Sequence, residues 1–138
     1  MSTEDQIKVF TLEEAEKLLP ALTSLIQRLH LIRDEISKLE VDIDALELVG
    51  AKDKPSADLE RQVEIYNQAV TQFYEMVDEI HRLGCYLKDV DLGLIDFYAM
   101  REGKVVYLCW KLGEAHIAHW HDVGEGFGSR QPLNPGKP

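Results

Sequence analysis

From Ala15 onward, apolar side chains recur at alternating intervals of three and four residues: Ala15, Leu18, Leu22, Leu25, Leu29, Ile32, Ile36, Leu39, Ile43 and Leu46. That spacing keeps one stripe of a 3.6-residue helix apolar and predicts a long amphipathic helix with a heptad, coiled-coil-like seam. Its start is marked by Thr11 and Glu14, the pair of a capping box, in which each side chain satisfies the other's backbone N–H. Pro20 lies inside the pattern, where a missing N–H and a crowded preceding turn predict a kink or a fresh helix start. Gly50 to Pro55 breaks the rhythm, and Ser56 is a suitable N-cap for a second helix. There Leu59, Val63, Tyr66, Val70, Phe73, Val77 and Ile80 repeat the four-three spacing, and Gly84 stands where a left-handed C-terminal residue is wanted. Two helices of similar length joined by a short connection predict an antiparallel hairpin over 11–84, each arm about 40 Å long. Asp34, Glu35, Glu40, Asp42 and Glu47 fall on its solvated face.

After Gly84 the period shortens to alternation, and turn residues come at short intervals. Strands are expected at 94–100, 104–111 and 114–121, with turns at Glu102-Gly103 and Leu112-Gly113. Pairing Arg101 with Lys104 and Lys111 with Glu114 aligns Phe97, Leu108 and Ile117 on a core-facing side, with Ile95, Trp110 and Ala115 beside them. The other side then aligns Asp96, Cys109 and His116, with Tyr98, Tyr107 and Ala118 alongside. Ile7-Lys8-Val9 reads as a short strand after a frayed acidic start over 1–6, and 122–138, rich in Gly and Pro, as irregular. The expected class is α+β, mainly α: a long antiparallel helical hairpin (11–84), a small three-stranded antiparallel sheet (85–121) and an irregular tail, in one domain of 138 residues.

Charge narrows the partners. The formal net charge is −10; residues up to Gly84 carry 9 basic and 18 acidic side chains, hence −9, and the remainder 6 and 7, hence −1. A chain with its acidity concentrated in the helices is poorly suited to neutralising phosphates, so no nucleic-acid partner is expected. Only Cys85 and Cys109 are present, and no charged start leads into an apolar secretory run, which fits a reducing cytoplasm. The longest unbroken apolar stretch, 105–110, is far shorter than the roughly 20 residues a spanning helix requires, so no membrane partner is expected either.

The blocks Phe10-Thr11-Leu12-Glu13-Glu14-Ala15, Leu18-Leu19-Pro20, Gly93-Leu94-Ile95-Asp96-Phe97, Leu108-Cys109-Trp110, Gly113-Glu114, Trp120-His121 and Gly126-Phe127 before Arg130 carry a resemblance. Together they resemble a bacterial family, domain of unknown function 2203, from Phe10 to about Pro132. The resemblance implies a shared fold and little else, because the family, as its title says, has no established activity. The chain departs from the family's Phe-Ala-Gly-Arg ending, reading Phe127-Gly128-Ser129-Arg130.

Candidate chemistry gathers on the sheet. Cys109, His116 and His119 are the candidate metal ligands: Asp96, Cys109 and His116 share the predicted row, and His119 and His121, two residues apart, lie about 7 Å apart on one face of a strand. The plainer reading is a half-buried face in which Cys109 packs and the histidines are hydrogen-bonded, and the predicted register sets His119 beside Val106 on the core side. Asp96, Glu114, His121 and Arg130 are the candidate ligand-binding groups, able to move protons or grip an anion. Glu114 could equally pair with Lys111 across its turn, and Arg130 with an acidic helix. No phosphate loop, nucleophile elbow or paired cysteine motif is present. Three functions remain open, with no cofactor specified: a non-catalytic, self-associating binding or scaffold protein, a small-ligand or metal-binding protein, and a metal-dependent hydrolase using Asp96, Glu114 and the histidines. The first is preferred, because Ala69, Met76 and Leu83, with Leu19 and Ile26, form a second apolar edge that a two-helix hairpin leaves uncovered. A homodimer forming a four-helix bundle is the expected partner state, with a further protein partner open.

Overall fold

The computed structural model describes residues 7–49 and 57–134. The element order is α1 (Leu12–Lys17), α2 (Leu19–Val49), α3 (Ala57–Arg82), β1 (Tyr86–Asp89), β2 (Leu94–Arg101), β3 (Lys104–Lys111), β4 (His119–Asp122) and β5 (Gln131–Pro132), with a 3-10 turn at Phe127–Ser129 between the last two strands. The chain divides into two compact units: residues 1–26 with 79–138, and residues 27–78.

The unit of residues 27–78 is a pair of long helical segments. They lie side by side, with the Tyr66 hydroxyl donating to Glu40 at 3.2 Å. The expected seam of α2 holds: Leu29, Ile32 and Leu39 are buried, and Ile36, Ile43 and Leu46 half-buried. On α3 the buried line runs instead through Ala69 and Met76, while Tyr66, Val70, Phe73 and Val77 are half-buried and Val63 is exposed. The apolar arc of α3 is wide enough to contain both lines, and Ile80, the last member of the predicted one, is fully buried in the other unit. The predicted Ser56 cap and the 50–55 break lie outside the described residues, as do the acidic start and the last four residues.

In the other unit, the capping box forms as expected. Glu14 N–H donates to Thr11 Oγ1 at 3.1 Å and Thr11 N–H to Glu14 Oε1 at 2.9 Å. The Pro20 discontinuity is a fresh start: α1 ends at Lys17, and α2 begins at Leu19, placing the proline in a first turn that lacks N–H partners anyway. Gly84 ends α3 at φ +98°, and His81 Nε2 accepts from Leu87 N–H at 3.3 Å, tying that end to β1.

The sheet has five strands rather than three, in the order β1-β2-β3-β4-β5, all antiparallel. β1 and β5, of four and two residues, are too short to show a period. Residues 7–9 form no strand, although Phe10 N–H donates to Tyr98 O at 2.7 Å. The β2–β3 register is the predicted one, from Arg101↔Lys104 to Leu94↔Lys111. Its two-residue turn places Glu102 and Gly103 at φ +54° and +77°, the mirror-image turn that matches strand twist. One face carries Ile95, Phe97, Val106, Leu108 and Trp110, all buried, and Phe10 meets Phe97 edge to face at 5.2 Å. Each such side chain contributes about 1.5–3 kcal/mol on burial.

The second hairpin departs from expectation. The pairing is Cys109↔His119 and Tyr107↔His121, three residues away from the predicted Cys109 to His116. Glu114 is the cause. Its N–H donates to Lys111 O at 3.0 Å, its carbonyl accepts from Trp110 Nε1 at 2.8 Å, and its carboxylate accepts from Lys111 N–H at 2.8 Å. A residue so occupied in closing the end of β3 cannot open the next strand, and the chain runs on to His119 before pairing.

Candidate metal centre

Strand alternation places Asp96 of β2, Cys109 of β3 and His119 and His121 of β4 on one sheet face, opposite the face that bears Phe97 and Trp110. Asp96, Cys109 and His121 are 3%, 0% and 1% exposed. Asp96 Oδ1 lies 3.1 Å from His121 Nε2, and one ligand atom from each of the three residues falls within 4.8 Å of the others. Tetrahedral coordination at zinc-type bond lengths needs ligand atoms about 3.3–3.7 Å apart, so the widest pair would have to close by about 1.1–1.5 Å.

His121 is held by its other nitrogen. Nδ1 lies 2.8 Å from the carbonyl oxygen of Asp122, which can only accept, so Nδ1 carries the proton and Nε2 is turned to Asp96. A main-chain acceptor behind the ring is the usual orienting contact of a metal-bound imidazole. Burial raises the Asp96 carboxyl above its ordinary range, against the opposing pull of His121, Lys88 and Cys109. Burial and the Asp96 charge push the Cys109 thiol to about 11, against the opposing pull of the Arg130 guanidinium.

The network continues outward. Arg130 donates to Glu114 through both arms, Nη1 to Oε1 at 3.2 Å and Nη2 to Oε2 at 2.6 Å, with side chains 16% and 23% exposed. Its guanidinium also lies 4.5 Å above the Phe127 ring. Burial alone raises the Glu114 carboxyl, but the Arg130 and Lys111 hydrogen bonds outweigh it and hold the group below its ordinary value. On the other flank the rings of Tyr86, Tyr98, Tyr107 and His121 follow one another at 5.5, 4.6 and 5.4 Å. Lys88 Nζ lies 4.9 Å from the Tyr107 ring centre. A separate hollow of about 530 Å³, lined by residues including Phe10, Leu12, Met100, Arg101 and Leu133, touches none of the three ligand residues.

Residues 8–133 match the uncharacterised conserved proteins DUF2203. The chain belongs to that family. No curated protein matches it, and no solved structure does. Nothing about a reaction comes with membership, so the chemistry of this DUF2203 chain has to be read from its own side chains.

The structure joins Asp96 and Cys109 as the sequence predicts but changes the third member. His116 is exposed, on the seven-residue connection between β3 and β4, with Nδ1 3.0 Å from Glu16 Oε2; the three-residue shift in pairing removes it and brings in His121. His119 faces Cys109, not Val106, whose partner is Asp122. Glu114 pairs with the Lys111 backbone and Arg130 rather than with the Lys111 side chain, and Arg130 pairs with Glu114 rather than a helix. Sequence reasoning missed Lys88 because β1 was not recognised, and placed Tyr98 and Tyr107 beside the Asp96 row without giving them, or Phe127, a role. The aromatic alternation Tyr98, Tyr107 on one face was the available signal.

Proposed function

We propose that this protein binds a divalent transition metal of the zinc type through Asp96 Oδ1, Cys109 Sγ and His121 Nε2. The observation that carries this is the convergence of three different ligand atoms within 4.8 Å of one another, with the imidazole already fixed from behind by the Asp122 carbonyl. Thiolate, imidazole and carboxylate are the donor types zinc accepts, and ligands from three adjacent strands would be bound into one rigid unit. The test is metal analysis of protein purified without an affinity tag and dialysed against zinc. A single equivalent per chain is expected, lost in Cys109→Ser and in Asp96→Asn, together with a zinc-dependent rise in melting temperature seen only in the wild type. A wild type that retains no zinc and melts at the same temperature with and without it rules the reading out.

A second reading, self-association through the helix pair, has its own support in residues 27–78. Tyr66, Val70, Phe73 and Val77 are only half-buried there, and Leu48 and Val49 are 89% and 83% exposed. The edge on which the sequence placed a dimer is mostly covered: Leu19, Ile26, Ala69 and Met76 are buried within the chain, and Leu83 is half-buried. A dimer therefore uses the half-buried line instead.

A further inference from the structure

We propose that the metal's fourth position takes an oxygen of a small oxyanion, a carboxylate or phosphate group, whose remaining oxygens are held by Arg130 and His119. This rests on the metal reading above and names the ligand class of the same site. Three protein ligands leave a tetrahedral ion one position short, as in metal sites that bind an exogenous group. What borders that position is cationic or able to donate. Arg130 lies close enough to Cys109 to draw its thiol's pKa down and spends two of its five N–H groups on Glu114. His119 stands opposite Cys109 in the strand register. Its Nδ1 is buried without a hydrogen-bond partner, which in a folded protein points to a group that arrives from outside. Lys88 adds positive charge from the Asp96 side. Among the described residues the anion that grips Arg130 is Glu114, through a two-point contact that an oxyanion would imitate.

Access is through the segment 122–130 that carries Arg130. Its glycines, Gly124, Gly126 and Gly128, would meet nothing within 4 Å if each bore a Cβ; the stretch is held at its ends by the Lys104 to Asp122 ion pair and the Arg130 to Glu114 clasp, and between them by the Phe127 ring. Exchanging Glu114 for a bound oxyanion costs Arg130 no hydrogen bond.

Cobalt(II) in place of zinc makes the site visible, because its absorption changes with the fourth ligand. Cobalt-loaded full-length protein is titrated with inorganic phosphate and, separately, acetate. A saturable spectral change with either is expected, weakened about tenfold in Arg130→Gln, the worth of one charge-assisted hydrogen bond. Glu114→Gln, which frees the guanidinium, is expected to tighten it. A clasp that served only to pin the segment would make both variants change in the same direction, and that result overturns the inference. So does a cobalt spectrum indifferent to both anions, or an affinity unchanged in Arg130→Gln, while the metal reading stands. Absence of any cobalt spectrum overturns both readings.

Discussion

Gly93 and Gly103 separate two reasons for a glycine. Both have positive φ, +63° and +77°, so alanine at either costs about 1 kcal/mol in backbone conformation. A Cβ at Gly93 would also lie 2.6 Å from Leu112 Cβ and 3.2 Å from Ile26 Cγ2, whereas one at Gly103 would meet nothing within 4 Å. Gly93→Ala should therefore lose about 1–3 kcal/mol more than Gly103→Ala in urea unfolding; equal losses would mean that Leu112 moves aside freely. The cysteines provide another residue-scale test. Burial pushes the Cys85 thiol to about 12, and its Sγ donates to Ile80 O at 3.6 Å. At pH 8 a thiol reagent should leave Cys85 unlabelled in native protein and label it rapidly in guanidinium.

At the scale of elements, the Arg130 to Glu114 clasp ties 122–130 to the end of β3. Glu114 is held below its ordinary value, so the clasp contributes fully above the unfolded glutamate pKa of about 4.3. Its contribution is lost as pH falls through the depressed folded value. Hydrogen exchange in 122–130 should accelerate in that acid range, and Glu114→Gln should show the fast exchange at every pH. The capping box gives a separate expectation: Thr11→Ala should cost about 1 kcal/mol in urea unfolding. Elements with a strong period were legible in the sequence: the α2 seam, the fresh start around Pro20 and the whole β2–β3 register follow from spacing and turn chemistry. β1, β5 and the β3–β4 pairing were not. The first two are too short to carry a period, and the last is decided by Glu114 acting through three hydrogen bonds at once, which no alternation records. Asp96 and Cys109 were therefore placed correctly and their histidine was not.

For the whole molecule, no helix among the described residues is long and apolar enough to cross a membrane. Self-association is decided by sedimentation equilibrium at micromolar concentration. A species of twice 15.8 kDa is expected, reverting to the single mass in Val63→Glu with helicity by circular dichroism unchanged. A wild type of 15.8 kDa alone discards the dimer.

The contact that aims His121 at the candidate centre has a genetic consequence. Its acceptor is the main-chain oxygen of residue 122, which every amino acid possesses, so no exchange of side chain at that position can delete it. Asp122→Asn or Asp122→Ser should keep the imidazole facing inward, at the expense only of the Asp122 ion pair with Lys104. Mutation can remove the ligand itself, but its orientation is inherited with the path of the strand.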